Sequence, residues 1–242
     1  MKKFIEKLLI IFFKKLYLLK KIYFKHAKFE PKDTIFDMWD DDQRIECFKY
    51  FKKYFFNSVF LDTDDLRIHS ILMIEEKRNN EKFLKLEFGV YKGYTANLFS
   101  KYCEKLYAFD SFQGLLEDWT GTSGGKRGIL DLKGNIPKLK SNVVTVKGWV
   151  QDTLEDFLKN NNKKIAFIHM DLDTYLSSKY VLEKCKGIMC NDAVLLFDQF
   201  YNYPGWRTNE FKAFTEVFEE HEYTYKVFSK YGSQVAVQLN LK

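Results

Sequence analysis

From residue 83 onward, apolar runs rich in β-forming residues alternate with stretches of helical spacing. The strand-like runs are Phe83 to Phe88, Lys105 to Asp110, Val143 to Trp149, Ile165 to Met170 and Ala193 to Phe197. YTYKVFS and QVAVQLN close the chain around a turn at Lys230 to Ser233. Helical spacing covers Thr95 to Tyr102, a segment capped by Asp152 or Thr153, a segment opening at Thr174, and Asn209 to Glu220. Strands alternating with helices in this way build an open α/β sheet with helices on both faces. The order predicts a doubly wound, seven-stranded, mostly parallel sheet whose last strand is reversed. Ahead of it, residues 30–80 read as helices over the mouth of that sheet, with an aromatic run from Phe48 to Phe56 and helical periodicity in Leu66, Ile68, Ile71, Leu72 and Ile74. Residues 2–25 alternate lysine pairs with Leu, Ile, Phe and Tyr at near-helical spacing. The predicted organisation is a basic amphipathic arm at 1–29, a helical cap at 30–80 and an α/β domain at 81–242.

Length and charge narrow the reading. A chain of 242 residues accommodates one large α/β domain with a cap, but hardly two full domains. The net charge of +6 comes from the arm, where Lys2, Lys3, Lys7, Lys14, Lys15, Lys20, Lys21, Lys25 and Lys28 face a lone Glu6. The remainder is close to neutral, which argues against a nucleic-acid face on the main domain. Such an arm suits peripheral contact of residues 1–28 with an anionic membrane, and equally packing on its own domain or on a second copy of the chain. The early apolar run Leu8 to Phe13 is far shorter than the roughly 20 residues a membrane span needs. Cys47, Cys103, Cys185 and Cys190 form no CxxC pair and have no histidine at metal spacing, so packed thiols in a reduced cytoplasmic protein are expected.

The candidate chemistry gathers where strands end. Phe83 to Thr95, FLKLEFGVYKGYT, reads as strand, tight glycine turn and helix start, with Gly89 and Gly93 free to visit φ > 0. Asp110 ends the next strand about 20 residues past the glycine turn, where a carboxylate can accept hydrogen bonds from ribose hydroxyls. The loop Gly121 to Gly128, GTSGGKRG, lacks the Ser or Thr that a phosphate-gripping loop needs after its lysine. It reads as a lid carrying Lys126 and Arg127, or as a plain solvated loop. The buried strand Ile165 to Met170 delivers Asp171 and Asp173 at its carboxyl edge, Asp173 being equally suited to cap the following helix. His169, two residues earlier, reads as a core histidine bonded to a neighbour or as a group orienting Asp171. The strand Ala193 to Phe197 ends in Asp198-Gln199 beside them.

In order, the blocks LEFGVYKGYT, YAFDSFQGL, VKGWVQDTL, IHMDLDTYLSS and LLFDQFYNYPGW cover Phe83 to about Phe214. They resemble the blocks of class I S-adenosylmethionine-dependent methyltransferases, and within that group the chain is similar to the macrocin O-methyltransferase family, which modifies sugar hydroxyls. The resemblance implies a Rossmann-like methyltransferase fold and S-adenosylmethionine as cofactor. Glu87, Gly89 and Gly93 would line its methionine part, Asp110 with Ser111 its ribose, and Gly148, Trp149 and Asp152 its adenine. It also implies Mg²⁺ held by Asp171, Asp198 and Gln199, with Asp171 as general base. Gln199 departs from the family, which has a second aspartate there. Its carbonyl can still ligate Mg²⁺, but one negative charge is lost, with Asp173 nearest to compensate. The implied substrate is a hydroxyl of a sugar or nucleotide-sugar, free or within a glycolipid. Trp206 and Arg207, after Pro204-Gly205, either wall the acceptor or begin a helix and pack. A catechol-type or nitrogen acceptor suits the same residues, and a non-catalytic scaffold in glycan assembly is the alternative from another class.

Overall fold

The computed structural model describes residue 9 and residues 11–16, 34–74 and 80–241. Its strands are β1 (Val59–Leu61), β2 (Leu84–Phe88), β3 (Leu106–Asp110), β4 (Val143–Lys147), β5 (Ile165–Met170), β6 (Met189–Phe197), β7 (Tyr223–Ser229) and β8 (Val235–Leu239). The helices are α1 (Ile35–Phe55), α2 (Thr63–Leu72), α3 (Tyr94–Phe99), α4 (Val150–Asn160), α5 (Tyr175–Cys185) and α6 (Glu210–Val217). One sheet takes all the strands in the order β1-β7-β8-β6-β5-β2-β3-β4. Only β8 runs against its neighbours β6 and β7; the other pairings are parallel.

Every residue of β2 and β5 is buried, as expected for central parallel strands covered on both faces. Even Lys85 lies inside, its Nζ donating to the Asn80 carbonyl at 2.6 Å. The chain winds outward from β2 to β3 and β4, then returns to β5 on the other side of β2. That reversal opens a crevice at the carboxyl ends of β2 and β5, the place where open α/β sheets bind ligands.

The sheet has eight strands, one more than the hydrophobic pattern predicts. The addition is β1, which lies in a region expected to be wholly helical and pairs in parallel with β7 at the sheet edge. Three residues are too few to show a period of two, and Phe55 and Phe56, separated from them by only two residues, read as part of the same aromatic run. Phe60 stacks on Phe228 of β7, with ring centroids 5.7 Å apart.

The chain divides into two compact units, residues 1–42 and 43–242. In the first, Thr34 and Asp37 cap the start of α1 reciprocally: the Thr34 N–H donates to Asp37 Oδ2 and the Asp37 N–H to Thr34 Oγ1. In the second, the remainder of α1 buries Phe51 among Trp206, Phe211, Tyr225 and Phe228. The middle of the aromatic run there is thus core, with Tyr50, Tyr54 and Phe55 packed against it, while Phe48 and Phe56 at its ends are exposed. The basic arm expected over residues 2–25 lies outside the described residues, apart from Leu9 and residues 11–16, which are helical and exposed. Among the described residues no helix is long and apolar enough to cross a membrane. All the cysteines are buried and free.

Candidate active site

Strand register builds the site. Phe88 pairs with Phe109 on one side and Met170 on the other, and Met170 pairs with Phe197. The next residue of each strand therefore sits on one level: Gly89, Asp110, Asp171 and Asp198. Backbone bonds continue the ladder through them, from Gly89 N–H to Phe109 O, Asp171 N–H to Phe88 O and Asp198 N–H to Met170 O, at 2.8–3.0 Å. Gly89 has φ +90°, and a β-carbon there would lie 1.8 Å from the Asp171 carbonyl oxygen. Glycine is required because β5 ends against it.

A cavity of about 330 Å³ opens at this level, within the size range of small-molecule sites. Gly89, Asp110, Ser111, Gly148 and Trp149 line one part, and Asp171, Asp173, Asp198 and Gln199 another. Asp110 braces the glycine turn: Oδ2 accepts from the Val90 and Tyr91 N–H groups at 2.8 Å, and Oδ1 from Phe112 N–H at 2.6 Å. Oδ1 is thus the oxygen with spare capacity for a ligand hydroxyl.

Behind the acidic end lies a buried polar chain. Glu87 is fully buried, accepting from the Thr95 hydroxyl and lying 3.2 Å from His169 Nδ1. His169 Nε2 lies 3.8 Å from Asp198 Oδ1. Burial opposes charge on His169, yet Asp198 and Glu87 on either side push its pKa up to about 10. Asp198 is held far below the usual carboxylate range: burial works against this, but His169 and Arg67 outweigh it. Arg67, from α2, donates from Nη2 to Asp198 Oδ1 at 2.6 Å.

Asp171 is partly open to the cavity, and its pKa is raised well above the ordinary value by burial and then by the charges of Asp198 and Asp173. Asp173 sits in the left-handed region at φ +60°, buried but lining the cavity, and is raised to about 7 by burial and by Asp198. Glu210, fully buried on α6, accepts the Gln199 N–H at 3.1 Å. Burial and the neighbouring Asp171 and Asp173 push its pKa well up.

Of the residues expected at the site, the structure brings Gly89, Asp110, Ser111, Gly148, Trp149, Asp171, Asp198 and Gln199 around one cavity. Glu87 lies beneath it, turned to Thr95 and His169. Gly93 starts α3 at φ +78° and packs towards Leu139 instead of the cavity. Asp152 is exposed and Gln151 takes the inward position, because α4 begins at Val150, ahead of the expected caps. Gln151 donates to Ser177 Oγ at 3.2 Å and leaves Oε1 buried without a partner. Trp206 is fully buried, and Arg207 lies over its outer face, reaching Glu46 at 3.5 Å; neither walls the cavity.

Lys126 and Arg127 are exposed and away from the cavity, while Leu115, Leu116, Trp119 and Leu130 of the same segment wall it. The segment is pinned, since Asn209 Nδ2 donates to Thr120 O at 2.9 Å and Gly121 lies against Gly205. Arg67 and Glu210 carry no local sequence signal; their roles come from contacts over long separations.

The glycine turn, the Asp110 oxygen and the orphan Gln151 acceptor fit an adenosyl ligand. The residues expected to hold Mg²⁺ fit less well. His169, Asp171 and Asp198 each bring one potential ligand atom within 4.8 Å of the others. Asp198, however, is engaged on both oxygens by protein donors, and Gln199 turns its amide nitrogen to it at 3.0 Å.

A sheet of this order with one reversed strand and a crevice at β2 and β5 is the Rossmann-like fold of class I methyltransferases. Residues 86–200 match the family model described as "Methyltransferase domain". The fold is similar to that of CalS11, a calicheamicin methyltransferase, with a TM-score of 0.58 and 15% identity over 90% of this chain and 89% of that one. An apo structure of CalS11, described as a TDP-rhamnose 3'-O-methyltransferase, gives 0.51 and 21% over 72% and 76%. The O-methyltransferase NovP gives 0.52 and 17% over 72% and 79%. No curated protein matches the chain. The domain match and the fold together support an S-adenosylmethionine-dependent methyltransferase.

Proposed function

We propose that this chain transfers a methyl group from S-adenosylmethionine to a hydroxyl of a sugar or sugar-containing product, with Asp171 as general base. The observation that carries the reading is that the glycine turn and Asp171 meet in one cavity, so donor and base share a rim. When bound, the cofactor supplies an electrophilic methyl carbon on a sulfonium. Asp110 and Ser111 suit its ribose, and Trp149 with Gln151 its adenine, the Gln151 carbonyl accepting from an exocyclic amine. Transfer would join the acceptor oxygen to the methyl carbon while the carbon–sulfur bond broke and its electron pair went to sulfur. The hydroxyl proton passes to Asp171, whose raised pKa makes it a stronger base than an ordinary carboxylate. Holding the two reactants in line can contribute roughly 7–11 kcal/mol. The similarity to macrocin-type sequence blocks, and a fold like that of CalS11, described as a TDP-rhamnose 3'-O-methyltransferase, favour a sugar over other acceptors.

The test is transfer of labelled methyl from the cofactor to a panel of nucleotide-linked deoxysugars and heptoses. One methyl ether on a sugar hydroxyl is expected, with Asp171→Asn lowering kcat by roughly 10²–10⁴. Labelling of catechols or amines but of no sugar would overturn the acceptor class.

A further inference from the structure

Asp198 closes the sheet edge beside Asp171, and donors of the chain already meet both of its oxygens. Oδ1 accepts from Arg67 Nη2 at 2.6 Å, with His169 Nε2 3.8 Å away. Oδ2 accepts from Gln199 Nε2 at 3.0 Å and from Gln234 Nε2 at 3.2 Å. Gln234 is itself oriented, its Oε1 accepting from Thr63 Oγ1 at 3.3 Å.

Arg67 is no loose surface cation. Its side chain is 14% exposed and that of Asp198 9%, and Nη1 is held by Asp64 at 3.2 Å. Asp64 in turn accepts from the Tyr94 hydroxyl. A guanidinium keeps its charge at any physiological pH, and moving it aside would leave His169 as the one cation beside the buried Asp198 carboxylate among the described residues.

A divalent ion at this edge needs carboxylate oxygens with free lone pairs, and its affinity follows the negative charge around it. Two features work against it together. Gln199 removes a negative charge and donates to Asp198 where a ligand would coordinate, and Arg67 adds a positive charge on the same carboxylate. The Gln199 Oε1 left behind is buried and has no partner.

We propose that Arg67 takes the electrostatic place of a divalent cation at this sheet edge and that methyl transfer here runs without metal. Arg67 is a positioning residue, fixing Asp198 and through it the edge on which Asp171 works. For the reaction this rests on the methyltransferase reading above; for ion binding it stands alone.

The experiment is titration of MnCl₂ into the full chain with S-adenosylhomocysteine present, following the free-ion signal by electron paramagnetic resonance. Wild type, Gln199→Asp and the double variant Arg67→Ala/Gln199→Asp are compared, with folding checked by circular dichroism. Wild type and Gln199→Asp are expected to leave the signal unchanged. The double variant, with the guanidinium gone and the carboxylate restored, is expected to bind one ion, on the order of 100-fold more tightly. Stoichiometric binding by wild type would overturn the proposal, and so would a folded double variant that binds nothing. The wild-type titration decides the question if the double variant does not fold. Calorimetry with S-adenosylhomocysteine alone separates the two readings: absence of heat would remove the cofactor and leave the ion result standing.

Discussion

Asp171 and Asp173 follow β5 with one residue between them; the Asp173 charge makes Asp171 harder to ionise, and the Asp198 charge does so for both. Their protonation therefore belongs to the pair. As a base Asp171 must be ionised, so kcat/KM is expected to rise with pH along an acid limb that lies above the ordinary carboxylate range. Asp173→Asn removes one of the charges that raise the Asp171 pKa, so the acid limb of the profile should move to lower pH; an unmoved limb would detach Asp173 from the base. A second expectation concerns the adenine end. Gln151→Leu deletes the unpartnered acceptor and should weaken S-adenosylhomocysteine binding by roughly 5- to 100-fold, the equivalent of about 1–3 kcal/mol, whereas Asp152→Ala, on the exposed face, should change it little by calorimetry. That contrast shows where the sequence stops being legible. Gly89, Asp110, Asp171 and Asp198 are readable because each directly follows or ends a buried strand, and strand ends are unambiguous. Gln151 and Asp152 differ by one position at a helix start, where one residue turns the side chain by about 100° and inverts inside and outside. Arg67 reaches Asp198 across 131 residues, a pairing that no local pattern encodes.

Among the elements, the central strands are the most legible, because continuous burial on both faces writes itself as continuous apolar runs. The edge strand β1 is not, being three residues long and partly exposed. The glycine-rich segment after β3 was legible as a loop but not as a wall. Its chemistry, GTSGGKRG, suggests mobility, while its attachment depends on a partner in another loop. Gly121 makes that attachment: a β-carbon there would lie 2.2 Å from Gly205 Cα, and φ is +78°. Gly121→Val is therefore expected to lift the segment off Gly205 and Asn209 and to loosen the wall made by Leu115, Leu116 and Trp119. Affinity for S-adenosylhomocysteine should fall, and tryptic cleavage at Lys126 and Arg127 should quicken, while the thermal midpoint of the ligand-free protein moves less than it would for a core substitution. Unchanged proteolysis would mean that the contact does not hold the segment in place.

Across the whole molecule, the site concentrates buried acid that the fold must tolerate. Glu87, Asp171, Asp173, Asp198 and Glu210 share the region with His169 and Arg67, and carboxylates outnumber the cations facing them. For Asp171, Asp173 and Glu210 the folded pKa lies above the unfolded one, so the folded state binds more protons between the two values and stability falls as pH rises through that window. His169 acts in the same direction: its contribution is complete below its ordinary value of 6.5 and is lost as pH rises through about 10. Asp198 has the opposite sign, but its contribution is lost only as pH falls below its ordinary value of 3.8. These groups together make the fold more stable at acidic than at alkaline pH, the decline beginning above the ordinary carboxylate values and continuing through the His169 window. Activity depends on an ionised Asp171 and should rise across the same interval, so the two profiles should cross. Scanning calorimetry at pH 6 and pH 8.5 tests this, with the higher midpoint expected at pH 6. Glu210→Gln keeps an acceptor for the Gln199 N–H while removing a buried acid, and should raise the midpoint at pH 8.5 more than at pH 6. Equal midpoints in wild type at both values would show that the buried acids are compensated by groups other than His169 and Arg67.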